Sequence, residues 1–252
     1  MIDIHSHILW NLDDGSKSIE ESIKIVQEAE KAGITDIICT PHHGKRGVKG
    51  ATPEQIKNSV IKLQEELRKV DCLVNLYPGN EIYVEEDLME EIQKKTVMSL
   101  AEEKYILIEL PMQNEYHYIE DMIFDIKKLG KIPILAHPER YSYIQENPNK
   151  VLSFLEIGVL LQCNLGSVLG KYGNKAKKTV KELLKSHAVS IMASDIHRAD
   201  TLYLEIESAI QKLDSIIGKE EREKLVQVNP KKIIEGLQIP VPIIKKIKKV
   251  WL

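Results

Sequence analysis

The sequence predicts an α/β fold in which seven βα units close into a barrel. Short apolar segments alternate with amphipathic helical segments along the chain, which is the pattern of a parallel sheet covered on both faces. The predicted strands are continuously apolar, as expected for strands buried on both sides. The length of 252 residues matches a single (β/α) barrel. We therefore predict one domain over residues 1–252, with a barrel favoured over an open sheet.

The elements alternate regularly from the N-terminus. Helix starts are marked by Ser18 with Glu21 three residues later and by Thr52 before Pro53, which are capping patterns. Gly33 ends the first of these helices. The predicted strands cover residues 1–7, 34–40, 72–77, 105–110, 132–136, 159–163 and 189–194. After the two capped helices, further helices are predicted at residues 85–93, 118–129, 151–156, 175–186, 202–213 and 219–225.

Bulk properties exclude several classes of protein. The net charge of −3 and the pI near 6.3 give no overall positive field, so no nucleic-acid partner is expected. No apolar run approaches the ~20 residues that a membrane span requires, so stable membrane insertion is not expected. The first residues form a predicted strand without a basic signal region. The three isolated cysteines, Cys39, Cys72 and Cys163, fit a reducing compartment. We therefore expect a cytoplasmic protein.

Residues 239–252 differ in composition from the rest of the chain. Pro240 and Pro242 precede a run of isoleucines and lysines that would form a basic amphipathic helix. Such a tail either packs its isoleucines on its own barrel or on a neighbouring one, as in a homo-oligomer, or binds a membrane surface. Packing on a barrel is the interpretation we favour.

Residues with metal-ligand chemistry cluster where the predicted strands end. Barrel enzymes place their chemistry at the carboxyl ends of the strands. Six of the eight histidines fall there, and a structural histidine has no reason to prefer one rim of a barrel. The residues at these ends are His5, His7, Thr40-Pro41-His42-His43, Glu81, Glu109, His137-Pro138-Glu139-Arg140, Asp195 and His197.

The number of donors indicates more than one metal ion. Five histidines and four carboxylates provide more ligands than one tetrahedral or octahedral ion can use. Two or three ions that share bridging carboxylates fit this number. Mixed imidazole and carboxylate ligation suits Mn²⁺, Fe or Zn²⁺ and disfavours Ca²⁺. The candidate ligands are His5, His7, Asp14, His42, Glu81, Glu109, His137, Asp195 and His197.

Five motifs carry a resemblance to a known family. They are Ile-Asp-Ile-His-Ser-His, Thr-Pro-His-His, Gly-Asn-Glu, Ala-His-Pro-Glu-Arg-Tyr and Ala-Ser-Asp-Ile-His, in this order. With them the chain resembles the polymerase and histidinol phosphatase (PHP) superfamily up to about Ile239. Within it, the chain is similar to the bacterial manganese-dependent protein-tyrosine phosphatases that oppose capsule and exopolysaccharide tyrosine kinases. The resemblance implies the PHP fold, a distorted seven-stranded TIM-like barrel.

The resemblance also implies a trinuclear site, with Mn²⁺ as the first choice of metal and Glu81 as the bridge. In that arrangement the first metal binds His5, His7, Glu81 and Asp195, the second binds Glu81, Glu109 and His137, and the third binds Asp14, His42 and His197.

Two arginines are candidate catalytic residues. Arg140 matches an arginine that the family uses to hold phosphate. Arg198 follows His197 directly, whereas the family's second phosphate-binding arginine usually lies several residues further on. The implied partner is a bacterial tyrosine kinase that carries phosphotyrosine. A basic loop with Lys45, Arg46 and Lys49 would attract its acidic, multiply phosphorylated segments.

Other reactions stay open at this stage. The same scaffold could hydrolyse a small phosphomonoester such as histidinol phosphate, or a nucleic-acid phosphodiester, although the acidic net charge counts against the latter. An amidohydrolase would need a bridging lysine where this chain has Glu109. A non-catalytic metal-bearing interaction module would have lost ligands, and none is missing. A thiol phosphatase would need a Cys-x5-Arg phosphate loop, with an arginine six residues after the cysteine. Lys45, Pro78 and Leu169 stand at those positions, so this class is excluded.

Overall fold

The computed structural model of the protein describes residues 1–44, 50–115 and 118–247. The strands are β1 (Ile2–Ser6), β2 (Asp36–Cys39), β3 (His42–His43), β4 (Asn75–Pro78), β5 (Glu81–Tyr83), β6 (Tyr105–Glu109), β7 (Ile132–Ala136), β8 (Leu160–Asn164) and β9 (Ile191–Ala193). The α-helices are α1 (Ile19–Lys31), α2 (Pro53–Lys69), α3 (Leu88–Lys94), α4 (Ile119–Lys128), α5 (Ser142–Glu146), α6 (Val151–Glu156), α7 (Leu165–Leu169), α8 (Gly173–Lys185), α9 (Ile206–Ile217), α10 (Lys219–Glu223) and α11 (Asn229–Ile234). Short 3-10 helices cover Leu100–Glu102, Pro138–Arg140, Pro148–Lys150 and Leu202–Glu205, and a π-helical turn covers Lys224–Val228.

The strand segments form a seven-stranded parallel barrel. β2 and β3 are successive parts of one strand, and so are β4 and β5, so the sheet β1-β2-β4 continues into the sheet β3-β5-β6-β7-β8-β9. An isolated parallel bridge between Ser6 and Ile196 joins the first strand to the chain that follows the last. The predicted distorted (β/α)7 TIM-like barrel is therefore confirmed.

The seam between β1 and β9 is held by a buried carboxylate. Asp3 is fully buried, and its Oδ1 accepts hydrogen bonds from the backbone N–H groups of His5 and Ser194 at 3.2 and 3.1 Å. Its Oδ2 accepts a hydrogen bond from the Tyr203 hydroxyl at 2.8 Å. A buried carboxylate is costly unless such donors surround it. Asp3 thus ties the first strand to the last where strand pairing is sparse.

A β-bulge in β1 places two consecutive side chains inside the barrel. The register between β1 and β2 shifts between Asp3 and Ser6. Ile4 belongs to the inner apolar cluster, while the next side chain, His5, contacts Gln162 across the barrel. A bulge inserts one residue and so changes which face the following side chains occupy.

The break between β2 and β3 comes from Pro41. Proline has no N–H donor, so the hydrogen-bond ladder cannot continue through it. The Asn80 side chain spans the break by donating to the Pro41 carbonyl at 2.9 Å. The upper parts, β3 and β5, then pair so that His42 lies beside Glu81.

The apolar core has two layers. The outer layer lies between the strands and the helices and includes Ile37, Ile108 and Leu161. The inner layer fills the lower half of the barrel. Its fully or nearly fully buried members include Ile2, Ile4, Ile38, Tyr105, Leu107, Ile134, Leu160, Ile191, Ile233 and Ile239. Because the last two of these come from beyond the barrel strands, the C-terminal part of the chain covers the bottom of the barrel.

The observed elements differ from the predicted ones at a few places. The third strand begins at Asn75 rather than at residue 72, because Asp71 adopts a left-handed φ of 55° and the Leu73 N–H donates to the Glu30 carboxylate. The short helices α5, α7 and α11 have no predicted counterpart. Each has five or six residues, which is too few for a hydrophobic repeat to be recognised.

The C-terminal segment packs on its own barrel without forming the predicted helix. Residues 239–247 are non-helical, so the prediction of an amphipathic helix is wrong there. Ile239 and Ile247 are each 2% exposed, and the Ile247 N–H donates to Asn149 at 2.9 Å. Residues 248–252 and the predicted basic loop of Lys45, Arg46 and Lys49 lie outside the described residues.

The described helices include none with the length and apolar character needed to cross a bilayer.

The anchor of the C-terminal segment generates a stability prediction. The Tyr105 hydroxyl donates to the Leu237 carbonyl at 2.6 Å and accepts from the Ile239 N–H at 3.0 Å. Tyr105→Phe leaves both partners without this bond and should lower the free energy of unfolding by about 1–3 kcal/mol, measured by urea denaturation. Tyr118→Phe is the control, because Tyr118 is 73% exposed. Equal unfolding free energies for the two variants would contradict the anchor.

Candidate metal centre

The predicted metal ligands converge at the carboxyl ends of the strands. His5 and His7 lie in β1 and directly after it, and β3, β5 and β6 supply His42, Glu81 and Glu109, while the turns after β7 and β9 supply the later ligands. Asp14 comes from the loop after β1. Most of these side chains are buried, but Asp14 is 63% and His197 30% exposed at the rim. The site therefore has a buried floor and an open upper edge. The nine residues brought together are His5, His7, Asp14, His42, Glu81, Glu109, His137, Asp195 and His197.

Five of the six distances within the first set of donor atoms match those of a metal-binding tetrahedron. Its members are His5, His7, Glu81 and Asp195, all buried. The two Nε2 atoms lie 3.2 Å apart, 3.2 and 3.3 Å from Glu81 Oε2, and 3.5 and 3.4 Å from Asp195 Oδ1. Ligands bound at 2.0–2.1 Å around a tetrahedral ion lie about 3.4 Å from one another. These four atoms could therefore bind one cation.

A second set shares Glu81 with the first. His42, Glu81 and Glu109 form this set, and His42 Nδ1 lies 2.9 Å from Glu81 Oε2. His137 Nε2 lies 2.9 Å from Glu81 Oε1 and 3.8 Å from Glu109 Oε1. The family resemblance implies Glu81, Glu109 and His137 as ligands of the second metal. The structure places His42 beside these three residues.

A third set lies at the rim. His7, Asp14, His42 and His197 could hold an ion there. Asp14 Oδ1 lies 3.5 Å from His42 Nε2 and 3.4 Å from His197 Nε2. The two nitrogens of His42 therefore face different sets, so this imidazole lies between the second set and the third.

Unsatisfied buried atoms support cation binding. Glu81 Oε2 and His137 Nδ1 are buried and make no hydrogen bond of acceptable geometry with the described residues. Buried polar atoms usually find a partner, so such exceptions call for an explanation. A cation among the converging imidazole and carboxylate donors would coordinate Glu81 Oε2. The donor set fits Mn²⁺, Fe or Zn²⁺.

Strong electrostatic coupling links the imidazoles to the carboxylates. Burial favours a neutral imidazole, but the charges of Glu81 and Asp195 outweigh it and raise the pKa of His5 to about 9. Burial likewise opposes ionisation of Glu81, yet the His5 charge, a hydrogen bond from His137 and the adjacent His42 imidazole hold its pKa well below the usual value. Without a cation, protonated histidines thus supply the positive charge that balances the carboxylates.

Two side chains that the sequence analysis did not identify orient the histidines. Asp13 Oδ2 lies 2.7 Å from His7 Nδ1 and accepts from the His42 backbone N–H at 2.9 Å. Gln162 Oε1 lies 2.9 Å from His5 Nδ1. Such contacts leave the Nε2 atoms directed at the site and fix the ring orientations. Burial opposes ionisation of Asp13, but the hydrogen bond and charge of His7 lower its pKa to about 2.

The two predicted arginines lie at the rim in different environments. The Arg140 guanidinium is 27% exposed, donates to Asp195 Oδ2 at 2.7 Å, and lies 4.4 Å from the ring centre of Tyr172. Arg198 donates to the backbone carbonyls of Gly15 and His197. Arg140 is thus joined to the first donor set, whereas Arg198 is joined to the backbone of the loop that carries Asp14.

The remaining histidines are outside the donor sets or outside the described residues. His43 Nε2 lies 2.8 Å from Glu91 Oε1 on α3. His187 is an exposed residue near the end of α8, 3.6 Å from Glu221. His117 lies outside the described residues.

Comparison with known proteins identifies the family. Residues 1–235 match the family described as "Capsular polysaccharide synthesis, CpsB/CapC". The chain belongs to the CpsB/CapC family. It is 34% identical over 220 residues to "Tyrosine-protein phosphatase YwqE" of Bacillus subtilis (strain 168), covering 87% of this chain and 86% of that protein. It is 33% identical over 240 residues to "Tyrosine-protein phosphatase CpsB" of Streptococcus pneumoniae, covering 93% and 98%.

Solved structures agree with this assignment. A structure described among those of YwqE from Bacillus subtilis and CpsB from Streptococcus pneumoniae, "unique metal-dependent tyrosine phosphatases", has a TM-score of 0.93 and 32% identity, covering 99% of this chain and 100% of that chain. A histidinol phosphate phosphatase from Lactococcus lactis has a TM-score of 0.58 at 13% identity, covering 86% and 94%. The second likeness shows a shared fold only.

The contact between Asp13 and His7 predicts a loss of metal affinity. Asp13→Asn keeps the size of the side chain but removes the charged acceptor, so Mn²⁺ affinity should fall about 10- to 100-fold, measured by isothermal titration calorimetry. Asp121→Asn, on the exposed face of α4, should bind Mn²⁺ like the parent protein. An unchanged affinity in Asp13→Asn would show that Asp13 does not orient His7.

The raised pKa of His5 predicts that metal binding releases protons. His5 must be neutral to bind a cation, and its pKa of about 9 means that it is protonated at neutral pH. Mn²⁺ affinity should therefore rise with pH up to about 9, by about tenfold per pH unit for each proton released. Titrations in buffers of different ionisation enthalpy measure the proton count directly. An affinity that is constant from about pH 6.5 to about pH 8.5 would contradict the protonation of His5.

Proposed function

We propose that the protein is a metal-dependent protein-tyrosine phosphatase that acts on a bacterial tyrosine kinase of capsular or exopolysaccharide synthesis. The observation that carries this proposal is the buried donor set of His5, His7, Glu81 and Asp195, which shares Glu81 with a second set. Membership of the CpsB/CapC family and the named tyrosine-protein phosphatases among its relatives support the substrate class.

Mn²⁺ is the metal that we propose first, with Fe or Zn²⁺ as substitutes, and two or three ions per chain. Neighbouring cations of this kind lower the pKa of bound water and clamp phosphoryl oxygens. The proposed ligands are the nine residues of the three donor sets. Glu81 would serve two ions, and so would His42 if both of its nitrogens are used.

Arg140 is the residue that we propose to hold the phosphoryl group. One of its five N–H donors binds Asp195, so the others can bind two phosphoryl oxygens, as guanidinium groups do. The Tyr172 ring supports the guanidinium plane from one side. Arg198 is a weaker candidate, because backbone carbonyls already hold one of its nitrogens.

The accessibility of the site favours a side chain on a protein as substrate. The rim residues Asp14, His197 and Arg140 remain 63%, 30% and 27% exposed, so a phosphorylated tyrosine can approach from outside the barrel. The tyrosine leaving group has a pKa of about 10 and needs little assistance from a general acid. The predicted basic loop of Lys45, Arg46 and Lys49 would help to attract acidic segments.

A thiol mechanism is unsuitable for this chain. All three cysteines are buried and free, and burial raises the pKa of the Cys39 and Cys163 thiols. A nucleophilic cysteine needs a lowered pKa and access to the substrate. Free thiols also support our proposal of a cytoplasmic location.

Metal removal and a single ligand substitution test the reaction. Ethylenediaminetetraacetate should abolish phosphotyrosine hydrolysis and Mn²⁺ should restore it, because the hydroxide nucleophile depends on the metal. Glu81→Gln should lower kcat/KM by about 100-fold or more and reduce the bound metal. Cys163→Ala should keep its activity. A fully active Glu81→Gln protein with parental metal content would contradict the site assignment.

Substrate preference tests the assignment against a small-molecule phosphatase. The Mn²⁺-loaded protein should hydrolyse a phosphotyrosine protein with a higher kcat/KM than histidinol phosphate. Arg140→Ala should lower kcat/KM for phosphotyrosine by about 10²- to 10³-fold, through loss of charge stabilisation, while Arg68→Ala on the surface of α2 should not. A clear preference for histidinol phosphate would overturn the proposed substrate.

A further inference from the structure

A cavity of about 520 Å³ lies on the outside of the barrel, away from the metal centre. It is bounded by the start of α2, by α3, by the segment 95–102 and by the end of α4. We call it the α2–α3 cavity. Its volume lies within the range of sites that bind small molecules. Apolar wall residues include Ile92, Val97, Met98 and Ile106.

Three lysines give the cavity a positive charge. Lys57, Lys95 and Lys131 line it together with one carboxylate, Glu102. Lys57 forms an ion pair with Glu102. Lys95 forms no salt bridge within the part of the chain that the structure describes. The charged lining residues therefore carry a net charge of +2.

Lys131 is held in a fixed position beside the apolar wall. Its Nζ donates to Ser99 Oγ at 2.7 Å and to the Glu103 carbonyl at 3.2 Å. Neither acceptor carries a charge, so the ammonium charge is not neutralised by these bonds. Burial lowers the pKa of Lys131, the Glu103 charge raises it, and the Lys95 charge lowers it further. Lys95 and Lys131 both line the cavity, so an anion bound between them would be attracted to both ammonium groups.

The backbone of the cavity wall is strained. Lys95, Ala101 and Glu102 have φ values of 57°, 51° and 63°, in the left-handed region that non-glycine residues seldom adopt. Such conformations persist only where the surrounding structure imposes them. The surrounding structure therefore imposes this backbone conformation on the wall segment.

We propose that the α2–α3 cavity binds a small anion with an apolar body, such as a medium-chain carboxylate. Its acidic head would lie between Lys95 and Lys131, and its apolar part would contact Val97 and Ile106. The combination of an apolar wall with few convergent polar groups is what ligand sites of this kind provide.

The position of the cavity connects such a ligand to the metal centre. The Met98 N–H in its wall donates to Asn80 Oδ1 at 3.0 Å. The amide nitrogen of Asn80 in turn donates to the Pro41 carbonyl. Asn80 directly precedes Glu81, and Pro41 directly precedes His42. A molecule against Met98 would therefore be connected through Asn80 to the residues that precede two of the proposed metal ligands.

The test uses the Mn²⁺-loaded full-length protein and 8-anilinonaphthalene-1-sulfonate, a fluorescent sulfonate with an apolar body. The parent protein should bind one equivalent, and decanoate should displace it, whereas inorganic phosphate should not. The variant Lys95→Met/Lys131→Met should bind about tenfold more weakly or worse, because hydrogen bonds to charged groups are lost. Lys128→Met is the matched control, because Lys128 on α4 pairs with Asp125 outside the cavity, and it should bind normally.

A second variant separates loss of the cavity from loss of charge. Val97→Phe fills the cavity without changing the charge and should also weaken binding, with unchanged thermal stability and metal content as evidence of folding. The proposal is overturned if both variants bind the probe like the parent protein. It is also overturned if inorganic phosphate displaces the probe, or if neutral octyl glucoside displaces it as well as decanoate does. These outcomes do not depend on phosphatase activity, so they test the cavity separately from the proposed function.

Discussion

The Glu81 carboxylate is the group on which the upper half of the barrel depends. It is fully buried and lies within 3.3 Å of ring nitrogens of His5, His7, His42 and His137. A buried carboxylate is expensive to desolvate unless positive charge surrounds it. These four imidazoles come from β1 and the residue after it, from β3 and from the turn after β7, so several strands must assemble before Glu81 is compensated. The bulge in β1 and the break at Pro41 position His5 and His42 so that both face Glu81.

The polar centre at the top of the barrel and the apolar layer below it divide the interior. Leu160 on β8 and Ile134 on β7 pack in the lower layer. Gln162 lies two positions after Leu160 on the same strand, and Glu109 ends β6, which pairs with β7. Burying charge beside a tightly packed apolar layer limits how far the donors can move. The distances of 3.2–3.5 Å in the first donor set therefore follow from packing as well as from electrostatics.

Much of this arrangement could be predicted from the sequence, for a physical reason. Carboxyl ends of parallel strands meet at one rim, so a ligand such as Glu109 can be placed from the position of its strand alone. The orienting contact of Gln162 with His5 joins residues 157 positions apart, and no local pattern encodes it. Asp13 was not identified from the sequence either, because it stands beside Asp14, which has the same side chain. The dual position of His42 depends on its ring orientation, which a strand assignment does not provide.

The C-terminal segment shows a second limit of prediction from the sequence. Its isoleucines suggested a helical repeat, but Ile239 and Ile247 are buried by separate contacts in an irregular chain. Spacing in the sequence predicts a face only when the backbone is regular. Tertiary contacts such as the hydrogen bonds of Tyr105 determined the conformation instead.

The seam at Asp3 has a consequence for how the chain is made. The first donors, His5 and His7, leave the ribosome almost two hundred residues before their partner Asp195 and the closing bridge at Ile196. Until then Asp3 has neither Ser194 nor Tyr203 to bind. A nascent chain thus exposes a histidine pair before the selective donor set exists, and long-range closure of this kind is slow. Assembly of the metal centre must accordingly wait until Asp195 and Tyr203 have been synthesised.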